Sequence, residues 1–296
     1  MVDILKNYSK WKLDYIINWD TNSVLKKMDD WIIDLTITSP AYYLWKDYEW
    51  DESFEEYLEY HKKCIQLLYK KTKLDWAVYW NVAQTPIDWE IFPLWAIFYN
   101  YFKEAWFHLK NRIIWHFEGW INTKNRLSWR YENILRFVKD KDNFKFNLDD
   151  IRVPSKWQSD KRCNPKWKNP TDVREFYSED LNKDEIKYFI DELIRDNSRN
   201  HTDLSDNFWY IDRVVNVSKE KTEHPCQFPE KMIDRIIKSS SNEWDLVLDT
   251  FLWSWTVWKK SVELWRHFIW IDRSEKYCKI SKKRIEDFIK EKKTWK

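Results

Sequence analysis

A chain of 296 residues with a single glycine, Gly119, has little freedom in how it can turn. Average usage of about 7% would supply about twenty. Glycine is the residue that reaches left-handed backbone without a steric penalty. Tight turns, helix C-termini and backbone that must lie against a ligand all draw on that freedom. Tryptophan, present 23 times, stands in the turn contexts instead: Asn18-Trp19-Asp20, Asp75-Trp76-Ala77, Glu243-Trp244-Asp245 and Phe251-Leu252-Trp253-Ser254-Trp255. The tryptophans therefore read as indoles in glycine positions rather than as an aromatic binding surface.

Between these turns the hydrophobic periodicity is regular. Ile32–Thr38 is a short β-type run that ends on Ser39-Pro40-Ala41-Tyr42. Apolar residues at helical spacing mark 52–72, and strands are expected at Val78–Val82, Arg112–Phe117 and Tyr131–Lys139, with a helix around 92–104. From about 140 to 222 periodicity fades into a polar, basic, proline-punctuated stretch. It returns as a helix over 229–240 opening at Pro229, strand 245–249, helix 256–264, strand 267–271 and helix 275–291. Strands that alternate with helices predict an α/β doubly wound sheet. The expected division is 1–139 and 223–296 as two parts of one core, with 140–222 as an insertion.

Composition narrows the function classes. Net charge is +2, so bulk charge demands no nucleic-acid partner. Cys64, Cys163, Cys226 and Cys278 form no CxxC pair and read as reduced thiols, with no metal site expected. No run approaches the roughly 20 apolar residues of a membrane span. The expected location is the cytoplasm, with no membrane partner.

Three elements occur in order: Ser39-Pro40-Ala41-Tyr42, then His224 to Ile237 (HPCQFPEKMIDRII), then Asp249 with the Phe251–Trp255 turn and Asp272 downstream. This ordered set resembles the circularly permuted, β-group DNA amino-methyltransferases, whose catalytic tetrapeptide is early and whose Phe-x-Gly-x-Gly cofactor turn is late. The segment 126–137 (RLSWRYENILRF) is similar to the one that precedes the family's target-recognition region. The resemblance implies a Rossmann-like methyltransferase sheet with an inserted target-recognition region, S-adenosylmethionine as cofactor, duplex DNA as partner and a possible cognate restriction endonuclease in the same system. It implies that Asp249, Phe251, Asp272, Phe228 and Pro229 surround the cofactor. Taken by themselves, both acids could be turn or N-cap residues, Phe228 a core aromatic, and Pro229 an ordinary helix start.

The tetrapeptide has a specific task under that resemblance. An exocyclic base amine is a poor nucleophile because its lone pair is delocalised into the ring. Accepting its N–H hydrogen bonds at the Ser39 hydroxyl and Pro40 carbonyl shifts electron density towards nitrogen. Tyr42 would stack on a base flipped from the duplex. Serine at the first position leans to cytosine N4 over adenine N6. A strand-ending turn with a half-buried tyrosine pair is the alternative. In the insertion, Lys156, Lys161, Arg162, Lys166 and Lys168 interleave with Trp157 and Trp167, which suits phosphate contact and stacking; a solvated charged loop is the alternative.

The departures fall on the working parts. Ala41 replaces the family's second proline, Trp253 and Trp255 replace the two turn glycines, and Trp19, Trp244, Trp265 and Trp270 stand at other expected glycine positions. Arg136 and Arg174 stand where the family keeps an aromatic. Overpacking costs about 1–3 kcal/mol per site, and several such sites together reach the roughly 5–15 kcal/mol of a whole domain. The sequence therefore predicts the family architecture in an inactive, destabilised chain whose cofactor pocket is blocked by Trp253 and Trp255. A non-catalytic DNA binder and an adenine-N6 enzyme are the rival readings.

Overall fold

The computed structural model describes residues 15–44, 52–88, 90–117, 124–152, 169, 208–210, 228–251 and 256–283. Its centre is an eight-stranded mixed sheet. The strands, in chain order, are β1 (Tyr15–Asn18), β2 (Ile33–Thr38), β3 (Thr72–Val82), β6 (His108–His116), β7 (Tyr131–Val138), β8 (Phe208–Tyr210), β9 (Leu246–Asp249) and β10 (His267–Asp272). A separate two-stranded ribbon joins β4 (Thr85–Ile87) to β5 (Glu90–Phe92). Across the main sheet the order is β1-β10-β9-β2-β3-β7-β6-β8. The run from β1 to β3 is parallel, and β7 enters antiparallel to both β3 and β6. Parallel strands covered on both faces must be apolar throughout, and β2 and β9 are buried at every position.

Helices cover the two faces. On one lie α1 (Thr21–Lys27), α2 (Phe54–Lys71) and α3 (Leu94–Glu104), which contribute Leu25, Tyr57, Ile65, Leu68, Phe98 and Phe102 to a core shared with Val78, Trp80 and Leu248. On the other, α4 (Glu230–Ser240) and α5 (Thr256–Glu263) bury Ile233, Ile236, Ile237 and Val257 against Leu35, Tyr79 and Val247. The sequence fixes where α2 begins. Ser53 accepts from the Glu56 amide while the Glu56 carboxylate accepts from the Ser53 amide, a reciprocal box that satisfies two orphan donors.

The expected elements are present, with strand β3 longer than its apolar run because Thr72–Trp76 extends it. The chain is helical over 275–283, and the rest of the helix expected to 291 lies outside the described residues. Periodicity did not announce β1, α1 or the β4–β5 ribbon, each of them short. Most of 140–222 is also outside the described residues. Within it, residues 208–210 pair with β6, and Asn147 donates to the Lys238 and Ser241 carbonyls at the end of α4.

The missing glycines have a visible consequence in the backbone. Trp31, Trp106, Trp244 and Trp265 all take positive φ, between 62° and 70°. Two of them close helices. The amide of Phe107 reaches back to the Phe102 carbonyl past Trp106, and the amide of Arg266 reaches the Ser261 carbonyl past Trp265. Both are the six-to-one bond of a Schellman stop, whose left-handed residue is normally glycine. All four indoles are more than half exposed, at 52, 75, 62 and 61%, so they recover little burial for the strained backbone. Trp19 and Trp270 differ: neither is left-handed, and Trp270 lies fully buried inside β10. Burial brings its own cost, since the indole N–H groups of Trp80 and Trp270 have no hydrogen-bond partner. At Arg136, buried between Phe144 and Phe146, two of the guanidinium nitrogens, Nε and Nη2, are unsatisfied.

Left-handed backbone costs a residue with a Cβ roughly 1–2 kcal/mol, and glycine gives back about 0.5–1 kcal/mol through unfolded-state entropy. Trp106→Gly and Trp265→Gly should therefore each raise unfolding stability by about 1 kcal/mol. Urea denaturation at constant m-value measures it. Trp31→Gly should gain less, because the Trp31 ring covers the Lys139 ammonium at 3.7 Å.

Candidate active site

In open parallel sheets, ligands bind outside the carboxyl ends of the strands. At that edge β2, β9 and β10 end on Thr38, Asp249 and Asp272. Asp249 is buried; its Oδ1 accepts from the Thr38 hydroxyl at 2.8 Å and from the Phe251 amide at 3.2 Å. Its Oδ2 has no partner. Loss of hydration pushes the Asp249 carboxyl up to about 8, against the Thr38 and Phe251 hydrogen bonds. Burial likewise raises Asp272 to about 7, opposed by the Ser274 amide and by Arg273. The edge thus holds two carboxyls on adjacent strands, poor in donors and ready to accept them.

Around Asp249 the packing is tight. The Thr21 hydroxyl donates to the Thr250 carbonyl at 2.6 Å, which seats the start of α1 over the end of β9. Asp20 caps α1 and is held by Tyr60 and Arg273. Phe251 stacks on His61 with centroids 5.2 Å apart and meets Trp80 edge-on at 6.0 Å. His61 is neutral: burial drives it down to about 4, although its Nδ1 is hydrogen-bonded to the Tyr57 carbonyl.

The tetrapeptide begins one residue after the Thr38 contact. Ser39 is buried, and its Oγ lies 2.8 Å from the Tyr42 hydroxyl. Tyr42 donates to Glu132 Oε2 at 2.7 Å, and Asn81 Nδ2 donates to both at 2.7 Å. Proline's rigidity is absent at Ala41, but the turn is held from outside. Tyr57 donates to the Ala41 carbonyl at 2.6 Å, and Thr85 to the Tyr43 carbonyl at 2.8 Å.

Of the residues singled out from sequence, Ser39, Pro40, Tyr42, Asp249, Phe251 and Asp272 come together at this edge. Phe228 lies in the core against Trp115, and Pro229 caps α4; the Phe228 carbonyl accepts from Thr256 at the first turn of α5. Trp253 and Trp255 lie outside the described residues, as do Lys156, Lys161, Arg162, Lys166 and Lys168. Two polar residues of the site had not been singled out, Asn81 and Glu132. The signal was there: Asn81 interrupts the apolar run Ala77–Val82, and Glu132 opens β7 within the 126–137 segment. A third is Trp258. With Trp253 and Trp255 it reproduces the x-spacing of a G-x-G-x-x-G fingerprint, whose third glycine lets helix and strand approach. Trp258 instead fills that contact, fully buried against Trp270 at 6.0 Å and Phe268 at 6.1 Å.

These features define a doubly wound α/β protein with two buried carboxyls at the carboxyl edge of its sheet and a polar cluster beside them. The chain belongs to the DNA methylase family of the N6/N4 type, whose profile matches residues 33–283. It is 29% identical over 277 residues to the type II methyltransferase M.ScaI of Streptomyces caespitosus, covering 90% of this chain and 79% of that protein. It is 28% identical to the DNA adenine methyltransferase YhdJ of Escherichia coli, over 92% and 82% of the two chains. Its fold matches the PvuII DNA methyltransferase (cytosine-N4-specific) with a TM-score of 0.60 at 16% identity, over 91% of this chain and 85% of that one. It also matches TTHA0409 of Thermus thermophilus in complex with S-adenosyl-L-methionine, at 0.58 and 17%, over 92% of each. No helix among the described residues is long and apolar enough to cross a membrane.

The raised acids make stability depend on pH. In the unfolded chain aspartate ionises near 4, whereas Asp249 and Asp272 hold their protons to about 8 and about 7 in the fold. Stability from these groups is full below the unfolded value and is lost as pH rises through the folded values. The urea midpoint should therefore fall between pH 5 and pH 8, and Asp249→Asn should flatten part of that fall. Parallel pH curves for the two proteins would contradict the assignment.

Proposed function

We propose that this chain carries the framework of a site-specific DNA methyltransferase of a restriction-modification system, directed at the exocyclic N4 amine of cytosine in duplex DNA with S-adenosylmethionine as methyl donor. The observation that carries the reading is the Thr38–Asp249 hydrogen bond. It fixes the tetrapeptide beside the acid that ends β9, so an amine at Ser39 and a donor at Asp249 would be neighbours. Asp249, with one oxygen unpartnered, and Asp272 fit a ligand rich in hydrogen-bond donors. When bound, S-adenosylmethionine supplies an electrophilic sulfonium methyl. The chain's own residues bind and orient: Asp249 and Asp272 would accept from the ligand, Ser39 and the Pro40 carbonyl from the base amine, and Tyr42 would offer its ring to the base. Phe251, Phe228 and Pro229 are proposed as walls of the cofactor space. The basic residues Lys156, Lys161, Arg162, Lys166 and Lys168 of the 140–222 insertion are proposed to grip duplex DNA.

An adenine-N6 target is the second reading. It is favoured by the 28% identity to an adenine methyltransferase over most of both chains, against which stands serine as the first residue of the tetrapeptide.

The two ends of the site are not equally fit for use. Indoles at 253 and 255 stand where bare backbone is needed against the cofactor, and they are proposed to block it and silence the chain. Titration calorimetry with S-adenosylmethionine tests both claims. No binding is expected for the chain as it stands, and binding is expected in the double variant Trp253→Gly/Trp255→Gly, with proton release at pH 7 as the buried acids ionise against donors. Labelled methyl should then reach DNA only with the double variant, and nucleoside mass analysis identifies the base. Tight binding to the unaltered chain would refute the obstruction; no binding to either would refute the cofactor assignment.

A further inference from the structure

The base-facing end of the site contains hydrogen bonds whose direction restricts what its members can do. The Tyr42 hydroxyl directs its one proton to Glu132 Oε2 at 2.7 Å. Asn81 Nδ2 carries two hydrogens, and its two short contacts are the Tyr42 oxygen and Glu132 Oε2, both at 2.7 Å. Its third contact, Ser39 Oγ at 3.4 Å, lies beyond the usual N–H···O range. Ser39 Oγ and the Tyr42 oxygen are 2.8 Å apart. With Tyr42's proton already committed, Ser39 must be the donor of that pair, because a hydroxyl has one hydrogen and two lone pairs. The order therefore runs from the Ser39 hydroxyl to the Tyr42 hydroxyl to the Glu132 carboxylate. Ser39 is left with its lone pairs to accept. Asn81 Oδ1, buried and without a partner, adds a second acceptor beside it.

We infer that Glu132 is the end of a proton relay, acting through Tyr42, that orients Ser39 as an acceptor and takes up the proton released by the amine as it is methylated. The inference rests on the amine-methylating reading above and assigns that reaction's proton a destination. As the amine lone pair forms the new N–C bond, the S–C bond breaks with its electron pair on sulfur, and nitrogen becomes positively charged. Nitrogen returns to neutrality when one N–H proton moves to Ser39 Oγ, the Ser39 proton to Tyr42, and the Tyr42 proton to Glu132. Atoms and charge balance: one carboxylate becomes one carboxylic acid, and no oxidant or further reactant is needed. Aspartate would not substitute freely, since both 2.7 Å contacts depend on the longer side chain reaching across from β7 to β3 and the turn. Glu132 is thus a positioning residue; Ser39 is the group that would touch the substrate.

Two measurements on the full chain test it. The first is a 13C NMR titration of the Glu132 carboxyl, with and without Tyr42→Phe. Loss of a hydrogen-bond donor to the carboxylate should raise its midpoint by about one unit; identical midpoints would overturn the proton order. The second uses Trp253→Gly/Trp255→Gly as parent. Glu132→Gln should keep donor and DNA affinity within about twofold, lower kcat by about 100-fold, and remove the acidic limb of the kcat–pH profile. His116→Gln is the control for the imidazole at the neighbouring ladder position, where His116 faces Tyr131 next to Glu132, and it should leave that limb in place. A Glu132→Gln variant with the parent's kcat and pH profile sinks the relay and leaves the methyltransferase reading standing. A parent that binds no donor sinks that reading instead, and the carboxyl titration then decides the proton order by itself.

Discussion

One hydrogen bond of 2.8 Å, from the Thr38 hydroxyl to Asp249, joins segments 211 residues apart and makes two half-sites into one. Its physical basis is the pairing of β2 with β9, Leu35 opposite Val247 and Thr36 opposite Leu248. This pairing brings an early strand of the chain against a late one within the parallel part of the sheet. Thr250 repeats the link by donating to Thr38 at 3.0 Å. The site proposed at the carboxyl edge depends on it. Without the β2–β9 register, Ser39 and Asp249 would belong to separate surfaces, and neither the polar cluster nor the acid pair would be more than a turn. A buried network of this kind also specifies register, since a slip of one residue would turn Asp249 away from Thr38 and into the apolar face.

Much of that arrangement was legible in the sequence. Long periodic elements such as Phe54–Lys71 and apolar runs such as Leu246–Asp249 carry their structure in their own residues, and an acid that ends an apolar run marks a strand's carboxyl edge. The ordered motifs then named Ser39, Asp249 and Asp272, which the fold brings to one edge of the sheet. Elements of four to seven residues stayed hidden because so few positions cannot display a period; α1 is visible only through Asp20 as its cap. Asn81 and Glu132 stayed hidden for a different reason. Each is one of several polar residues in its strand, and only the antiparallel pairing of β3 with β7 brings the two to one place. That partnership is a property of the sheet order and is written in neither strand. The role proposed for the 140–222 insertion rests on its composition, and Lys156, Lys161, Arg162, Lys166 and Lys168 lie outside the described residues.

Substitution of tryptophan where glycine belongs has two distinct effects, separated by where the indole goes. At the amino edge and at helix ends, Trp31, Trp106, Trp244 and Trp265 keep more than half their surface in solvent, and the main cost is backbone strain. Inside the sheet, Trp258 and Trp270 meet ring to ring between α5 and β10. There the cost is volume, together with an unsatisfied indole N–H at Trp270. The fold tolerates the first kind because Schellman hydrogen bonds at Phe107 and Arg266 still form around the strained residue. The second kind is harder to absorb, because two fully buried indoles must share the contact between one helix and one strand.

The same contrast separates the two ends of the proposed site. At the proposed base end the network works through side chains: Ser39, Tyr42, Asn81 and Glu132 are hydrogen-bonded to one another, and Tyr57 supplies from α2 the rigidity that Ala41 lacks. No glycine is called for, so a glycine-poor chain can build it intact. At the proposed donor end the reading calls for backbone that a ligand can touch, and no hydrogen bond can substitute for empty space. Asp249 and Asp272 remain in place with their carboxyls raised by burial, acceptors still waiting for donors. On the proposed reading, what the site needs as side chains is present at this edge, and what it needs as bare backbone is what a chain with one glycine is least able to supply.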